Sequence, residues 1–583
     1  MKLSSWWYPV LLVALVGCSH GGGSSSGPIT RATPGATATP SPPPPAPATP
    51  PTQLPGYVPR TKFANVIARS GDGFLEDQGG QKILHLKGDP YTRGFQYGAL
   101  FGDGVDASKK AAVNFAAGKF SPALGVLVGV VVGYLQPYIA QIAAGLFSPH
   151  ISPDDRATMQ GIVDGARSRT PSIDVKLEEL MLLNVIIDLG GMVDSPTFKC
   201  SGLAVWGSRT QGGKMLQQRN VDLLVGSGLE TQAVVAIEKP DGGNTYLNAG
   251  WAGLVGTASG MNEHGLGISQ VWAFSRDVAF GEPWPLTCRR LLETASNVDA
   301  VQPAFAAVKR TYGSNFVFAD RGDGSGKPRG IACESSSKDF LQFFDNDPNE
   351  DALWNGSPIA IKLTEAVFRG DVPVSQRLYD RWYEDPKTTD PRTTDHYQER
   401  YQQQADLTKG YAAQGVKIGL AEMEAIARKI GHAGSSLQCV VYENADLVVH
   451  VANSRVVPGL APADARDEPF HDYDLDYYLP TVQVAPDRMA YAVGDSMVLT
   501  LTLGNHGRSR RLDASAWLEE SGTHLVLGTA SRLDVLTGQS LGATLSCSVP
   551  VGASPGAAEI VVELREAGTT DVVDYAVFPV TIH

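Results

Sequence analysis

Residues 197–222, TFKCSGLAVWGSRTQGGKMLQQRNVD, read like the opening of a domain, yet they stand a third of the way into a chain of 583 residues. Cys200 is followed at once by an alternating strand, a Gly212-Gly213 turn, a second strand and then Arg219-Asn220-Val221-Asp222. A thiol attacks only as its thiolate, and at neutral pH some base must take the proton. If the Lys199–Cys200 bond were cut, the freed α-amino group, with an unperturbed pKa of about 7.7–8.0, would supply that base within the same residue. Pairing of the two strands returns Arg219 and Asp222 to the side of Cys200. There an Asp can hold ammonium and thiol in register, and an Arg can hold that Asp, or a substrate carbonyl or carboxylate, by forked hydrogen bonds. The same spacing also suits a surface Arg-Asp pair after a hairpin beside an ordinary buried Cys, and spacing alone favours that plainer reading, because Arg-x-x-Asp is common and a single Cys does not announce its pKa.

Working outward, the N-terminus carries Met1-Lys2 and an apolar run from Trp6 to Val16, a signal peptide too short to span a bilayer. It ends in Leu15-Val16-Gly17-Cys18 and resembles the bacterial lipoprotein signal, in which the Cys becomes a lipidated new N-terminus. Cys18 would then anchor the protein to the lipid bilayer of a bacterial cell envelope, and Ser19 is compatible with the outer membrane of a Gram-negative cell. The other reading is a plain secretory signal cleaved nearby, with Cys18 incidental. Residues 19–59 are almost all Gly, Ser, Thr, Ala and Pro; they cannot bury enough apolar surface to fold and form a tether.

The 48 basic and 61 acidic side chains leave a net charge of −13 with no run of Lys or Arg, which argues against a nucleic-acid partner. The length implies two or three folded units. Six cysteines are too widely spaced for a zinc site and too sparse for a disulfide scaffold, so Cys288, Cys333, Cys439 and Cys547 read mostly as buried thiols. No His-Glu-x-x-His, Gly-x-Ser-x-Gly or phosphate loop appears.

Residues 60–199 form a segment that is helical apart from a hairpin expected around Asp77-Gln78-Gly79-Gly80. Helical periods cover 91–120, 153–169 and 176–193, with Asp154-Asp155 as a negatively charged helix start. The apolar core from Ala123 to Leu135 is short for a membrane span and reads as a buried or lipid-touching helix. Residues 200–480 are strands with interleaved helices, an α+β pattern of layered packing. Residues 481–583 are short alternating strands at regular spacing, the pattern of an Ig-like β-sandwich, read as an accessory domain.

Five motifs in order, LKGDPYTRGFQYGALF, CSGLAVWG, QQRNVD, GWAGLVGTASGMNEHGLGIS and SNFVFAD, resemble the isopenicillin-N acyltransferase family of N-terminal-nucleophile (Ntn) hydrolases. The β-part is similar to the related choloylglycine hydrolases as well. The resemblance runs from about residue 80 to about 480. It implies an αββα four-layer sandwich, self-cleavage between Lys199 and Cys200, and hydrolysis or transfer of an acyl group from a linear amide through a thioester, with no cofactor and no metal. It makes Cys200 the nucleophile, Arg219 and Asp222 its orienting groups, and Asn355 in WNGSPIA the oxyanion donor. The family more often has Thr where this chain has Trp354. Choloylglycine hydrolases have a second Asn where this chain has Trp272, which disfavours a bile-acid type of oxyanion hole. The expectation is therefore a membrane-anchored, self-processing cysteine amidohydrolase or acyltransferase whose partner is a small acylated, amphiphilic substrate. The alternative is an inactive Ntn-like binding or adhesion lipoprotein. Oligomeric state is not legible in the sequence.

Overall fold

The computed structural model describes residues 65–120, 141, 144–192, 199–223, 225, 228–322, 327–382, 388–456 and 461–583. The signal sequence, Cys18, the tether and most of the apolar 120–147 stretch lie outside them. Among the described residues no helix is long and apolar enough to cross a membrane.

Strands β1 (Asn65–Ser70), β2 (Gly73–Gln78) and β3 (Gln81–Gly88) come first, followed by helices α1 (Pro90–Phe120), α2 (Pro153–Arg169) and α3 (Leu177–Met192). Strands β4 (Lys199–Val205), β5 (Leu216–Asp222), β6 (Ala233–Pro240), β7 (Tyr246–Trp251), β8 (Ser259–Asn262) and β9 (Gly267–Trp272) lead into helix α4 (Trp284–Thr294). After β10 (Ser314–Asp320), β11 (Arg329–Ser335) and β12 (Phe340–Phe343) come a small hairpin, β13 (Leu353–Trp354) and β14 (Ser357–Pro358), and then β15 (Ala366–Arg369). A π-helical turn, His396–Gln402, runs into α5 (Gln403–Ala413); α6 (Leu420–Ile430), β16 (Ser436–Glu443), β17 (Val448–Asn453) and β18 (His471–Asp474) follow.

Two large sheets result, mixed with helices: a 10-stranded one ordered β1-β2-β3-β6-β7-β8-β9-β10-β11-β12 and a 6-stranded one ordered β15-β4-β5-β16-β17-β18. Every residue of β5 and of β10 is buried, which requires cover on both faces of each sheet. On one face the sheets meet each other. A Cβ on Gly202 of β4 would lie 3.1 Å from the Ser269 side chain, and Ala204, Met215, Val317, Ala319 and Ala332 fill the seam. Helical side chains pack against both sheets as well. Tyr401 and Ile426 pack on Leu203, Val205 and Val441, while Leu100 and Met159 pack on Leu84, Leu86, Val234 and Ala236.

The segment 60–199, expected to be helical beyond one hairpin, begins with three strands. The turn at Asp77–Gly80 closes β2 on β3 with Gln78 opposite Gln81, and β3 then pairs parallel with β6 from Lys82↔Val234 to Gly88↔Pro240. The run Ile83-Leu84-His85-Leu86 is buried throughout, and a fully buried strand of this kind finds its place inside a sheet. At the start of α2, Ser152 accepts a hydrogen bond from the Asp155 N–H and Pro153 fills the first turn, which fixes this helix end.

Residues 480–582 form a three-stranded and a five-stranded sheet. The strands Ser496–Asn505 and Arg510–Glu520 bury alternate residues, and Leu499, Leu501, Leu512, Ile560 and Leu564 share one core. Asp574 ties this part to the larger sheet, with Lys239 Nζ 2.9 Å from one carboxylate oxygen and Lys87 Nζ 2.9 Å from the other.

Candidate active site

Strand β4 runs unbroken across the Lys199–Cys200 bond and pairs antiparallel with β5, placing Lys199 opposite Asp222, Cys200 opposite Val221 and Gly202 opposite Arg219. On its other edge β15 pairs with Arg369 opposite Gly202. Continued two residues, that antiparallel count brings Asp371 level with Cys200. The contact is direct: the backbone N–H of Cys200 donates to Asp371 Oδ1 at 2.9 Å. The loop that carries Asp371 is fixed from behind. Asn315 Nδ2 donates to the Gly370 carbonyl at 3.0 Å, and Glu334 accepts from the N–H groups of Val374 and Ser375 at 2.8 and 3.1 Å.

Around the thiol, Arg219 is pinned from three directions. Its Nε donates to the Gln270 carbonyl at 2.8 Å, one terminal nitrogen to Ser259 Oγ at 2.6 Å, and the other to Gln270 Oε1 at 3.2 Å while standing 4.0 Å from Cys200 Sγ. Asp222 is not the group on the Cys200 nitrogen. Its carboxylate accepts from Arg400 at 3.0 Å and from the His432 N–H at 3.2 Å. Arg400 Nε also lies 3.7 Å from Asp371 Oδ2, and His396 Nδ1 lies 3.3 Å from the same oxygen. One guanidinium thus stands between the two carboxylates that flank the Cys200 backbone.

Cys200 is 4% exposed. Burial pushes its thiol up to about 12, reinforced by the negative charges of Asp371 and Asp222 and opposed by Arg219 and a backbone hydrogen bond from Trp272. In the uncut chain the sulfur is therefore a neutral thiol. Beyond Trp272 lies an aromatic cluster: its ring sits 6.3 Å from that of Tyr312, whose hydroxyl accepts from Trp284 Nε1 at 2.8 Å. Asp188 of α3 is buried next to this cluster, accepting from Thr311 Oγ1 at 2.5 Å, and burial pushes its carboxyl up to about 8 against that hydrogen bond.

Of the residues singled out in the sequence, Lys199, Cys200, Arg219 and Asp222 come together. Asn355 does not. It occupies, with φ of 46° and Gly356 at 78°, the exposed two-residue turn between β13 and β14. Asn-Gly is the strongest short hairpin signal, and here it makes a hairpin. Asp371, His396 and Arg400 escaped the sequence reading: Asp371 is found only by counting along a strand pair that links residues 171 apart. Among the described residues no group of three or more His, Cys, Asp or Glu side chains is placed to hold a metal ion, and Cys200, Cys288, Cys333, Cys439 and Cys547 are free thiols.

Residues 208–340 match the model of one family. It is AAT, acyl-coenzyme A:6-aminopenicillanic acid acyl-transferase. The matched stretch holds Arg219 and Asp222 and stops short of Asp371 and Arg400. An uncharacterized protein of Archaeoglobus fulgidus is 24% identical over 295 residues, 48% of this chain and 47% of that protein, so the chain spans about half the length of the curated relative it matches. Among solved structures, the Caenorhabditis elegans N-acylethanolamine-hydrolyzing acid amidase ortholog is similar at 12% identity, over 42% of this chain and 93% of that one, with a TM-score of 0.28. A Niemann-Pick type C2 protein from the Japanese carpenter ant aligns over 18% of this chain and 93% of its own, at 8% identity and a TM-score of 0.16.

Proposed function

We propose that this chain is a self-processing Ntn cysteine enzyme that hydrolyses or transfers the acyl group of small amphiphilic amides through a thioester on Cys200. The observation that carries the reading is the environment of one residue: Cys200 at the second position of a central strand, its nitrogen on the Asp371 carboxylate and its sulfur facing a pinned Arg219. Scission before Cys200 would turn that nitrogen into an α-amine beside the thiol it must deprotonate. Asp371, with Asp222 one residue along the neighbouring strand, favours the ammonium form. Arg219 favours the thiolate. The match of residues 208–340 to an acyltransferase family supports the same class of chemistry.

Several finer features belong to this proposal. They are the αββα four-layer arrangement, the Ig-like character of the last hundred residues, the kinship to choloylglycine hydrolases, and attachment to a bacterial envelope through lipidated Cys18. Trp272 stands against a bile-acid substrate. Hydrolysis is the outcome wherever water reaches the thioester, and transfer needs a bound amine acceptor with water excluded. The buried, high-pKa thiol is the feature that favours the alternative, an inactive Ntn-like binding lipoprotein. Incubating the purified protein with N-acyl amides of graded chain length decides between them. Release of acid that disappears in Cys200→Ala supports the enzyme, diversion of product by added amines marks transfer, and no release from any amide by a chain that has a Cys200 terminus favours the binder.

A further inference from the structure

Until the Lys199–Cys200 bond is cut, the α-amine that would serve Cys200 as base does not exist. The scission itself therefore needs another group to accept the thiol proton, and it needs a proton for the departing nitrogen. The charged side chains that bear on the thiol are Arg219, Asp371 and Asp222. Arg219 has no acceptor. Asp222 is committed to Arg400 and to the His432 N–H at 3.0 and 3.2 Å. Asp371 has an oxygen 2.9 Å from the reacting nitrogen, is 1% exposed, and turns its second oxygen toward His396 and Arg400 at 3.3 and 3.7 Å.

Resting on the reading of Cys200 given above, we infer that Asp371 is the proton shuttle of the self-scission. Its carboxylate takes the proton from Cys200 Sγ as the sulfur bonds to the Lys199 carbonyl carbon. The tetrahedral adduct collapses with rupture of the C–N bond, and Asp371 returns the same proton to the nitrogen, leaving a Lys199 thioester and a free amine. Water then hydrolyses the thioester to the Lys199 carboxylate and the Cys200 thiol, and the proton set free passes to the amine. Arg400 and His396 hold the second oxygen of Asp371, so that its first stays on the nitrogen throughout. The role is specific to an acid: an amide in the same place can accept the N–H but cannot carry the proton.

Cell-free synthesis of the full chain followed by a chase tests this, with scission read by electrophoresis and by the mass of the new N-terminal fragment. Asp371→Asn is expected to cut at least 100-fold more slowly than wild type while melting within a few degrees of it. A rate within tenfold of wild type would overturn the assignment. If Asp371→Asn melts early, Asp371→Glu, which restores the proton-carrying group, is expected to cut at least tenfold faster than Asp371→Asn, and equal rates for the two would overturn the assignment. Failure of the underlying reading looks different: wild type itself would remain uncut, or Cys200→Ala would be cut as fast as wild type.

Discussion

Arg219 shows how much one side chain contributes at this site. Its three hydrogen bonds to β8 and β9 are the fork geometry of a guanidinium, and they aim its last nitrogen at the sulfur. Lys offers a compact charge without the fork. Arg219→Lys is therefore expected to lower kcat by tenfold or more with little change in melting temperature, as steady-state rates and a thermal scan would check. Asp188 gives a pH signature. Its folded carboxyl is raised from 3.8 to about 8 by burial, so the stability it contributes is full below the ordinary carboxylate range and is lost as pH rises toward 8. Asp188→Asn, which stays neutral, should be more stable than wild type at pH 8 by at least about 1 kcal/mol and nearly equal at pH 4. Thermal melts of both at the two pH values test it. At this scale the sequence is legible in part. Two short strands after Cys200 suffice to bring Arg219 beside it, because antiparallel register is local. Asp371 comes from a loop 171 residues away, and Arg400 stands in a Gln-rich run, Gln398 to Gln404, that carries no motif.

At the scale of elements, α1 and α2 touch backbone to backbone. A Cβ on Gly98 would lie 2.0 Å from the Ile162 carbonyl oxygen, and one on Gly165 would lie 2.0 Å from that of Phe95. The four-residue spacing of Gly94 and Gly98, and of Gly161 and Gly165, puts each pair on one helix face and lets the two axes approach. Overpacking a core costs about 1–3 kcal/mol, and a clash with backbone lies at the upper end. Gly165→Val is expected to destabilise the chain by about 3 kcal/mol, measurable by urea denaturation, whereas Gly410→Ala, where a Cβ meets nothing within 4 Å, should change little. The helices α1–α3 were legible from their apolar period, and α2 also from its acidic start at Asp154-Asp155. The three strands ahead of them were not fully so: two short β-runs look like an isolated hairpin until β6, some 145 residues later, supplies the parallel partner. The turn carrying Asn355 shows the reverse case, a local Asn-Gly signal stronger than the motif reading laid over it.

Across the whole molecule, the residues before and after Cys200 are built into one another. Besides the β3–β6 ladder, Arg289 of α4 binds Asp155 of α2 at 2.9 Å and Glu238 of β6 at 3.3 Å, and Arg93 of α1 reaches Glu238 and Glu293 at 3.4 and 3.2 Å. A cut at residue 200 severs none of these. Fragments produced by such a cut are therefore expected to co-elute in gel filtration under native conditions and to separate only in denaturant; separation in buffer alone would contradict this. The C-terminal sheets are locked on by a buried charge. Burial alone would raise the Asp574 carboxyl, but Lys239 and Lys87 more than offset it and hold it below the usual carboxylate range. Its stabilisation is present above that range and is lost as pH falls through the lowered value. Asp574→Ala removes the carboxylate that Lys239 and Lys87 share and should cost about 3–5 kcal/mol at neutral pH, as chemical denaturation would show. All of this surrounds the claim that the chain restarts at Cys200, and N-terminal sequencing of the purified protein, paired with turnover of Cys200→Ala, tests that claim most directly. The expected result is a fragment beginning Cys200-Ser201-Gly202-Leu203 and no turnover in Cys200→Ala. An uncut chain of wild-type sequence, with amide turnover that survives loss of Cys200, would contradict it.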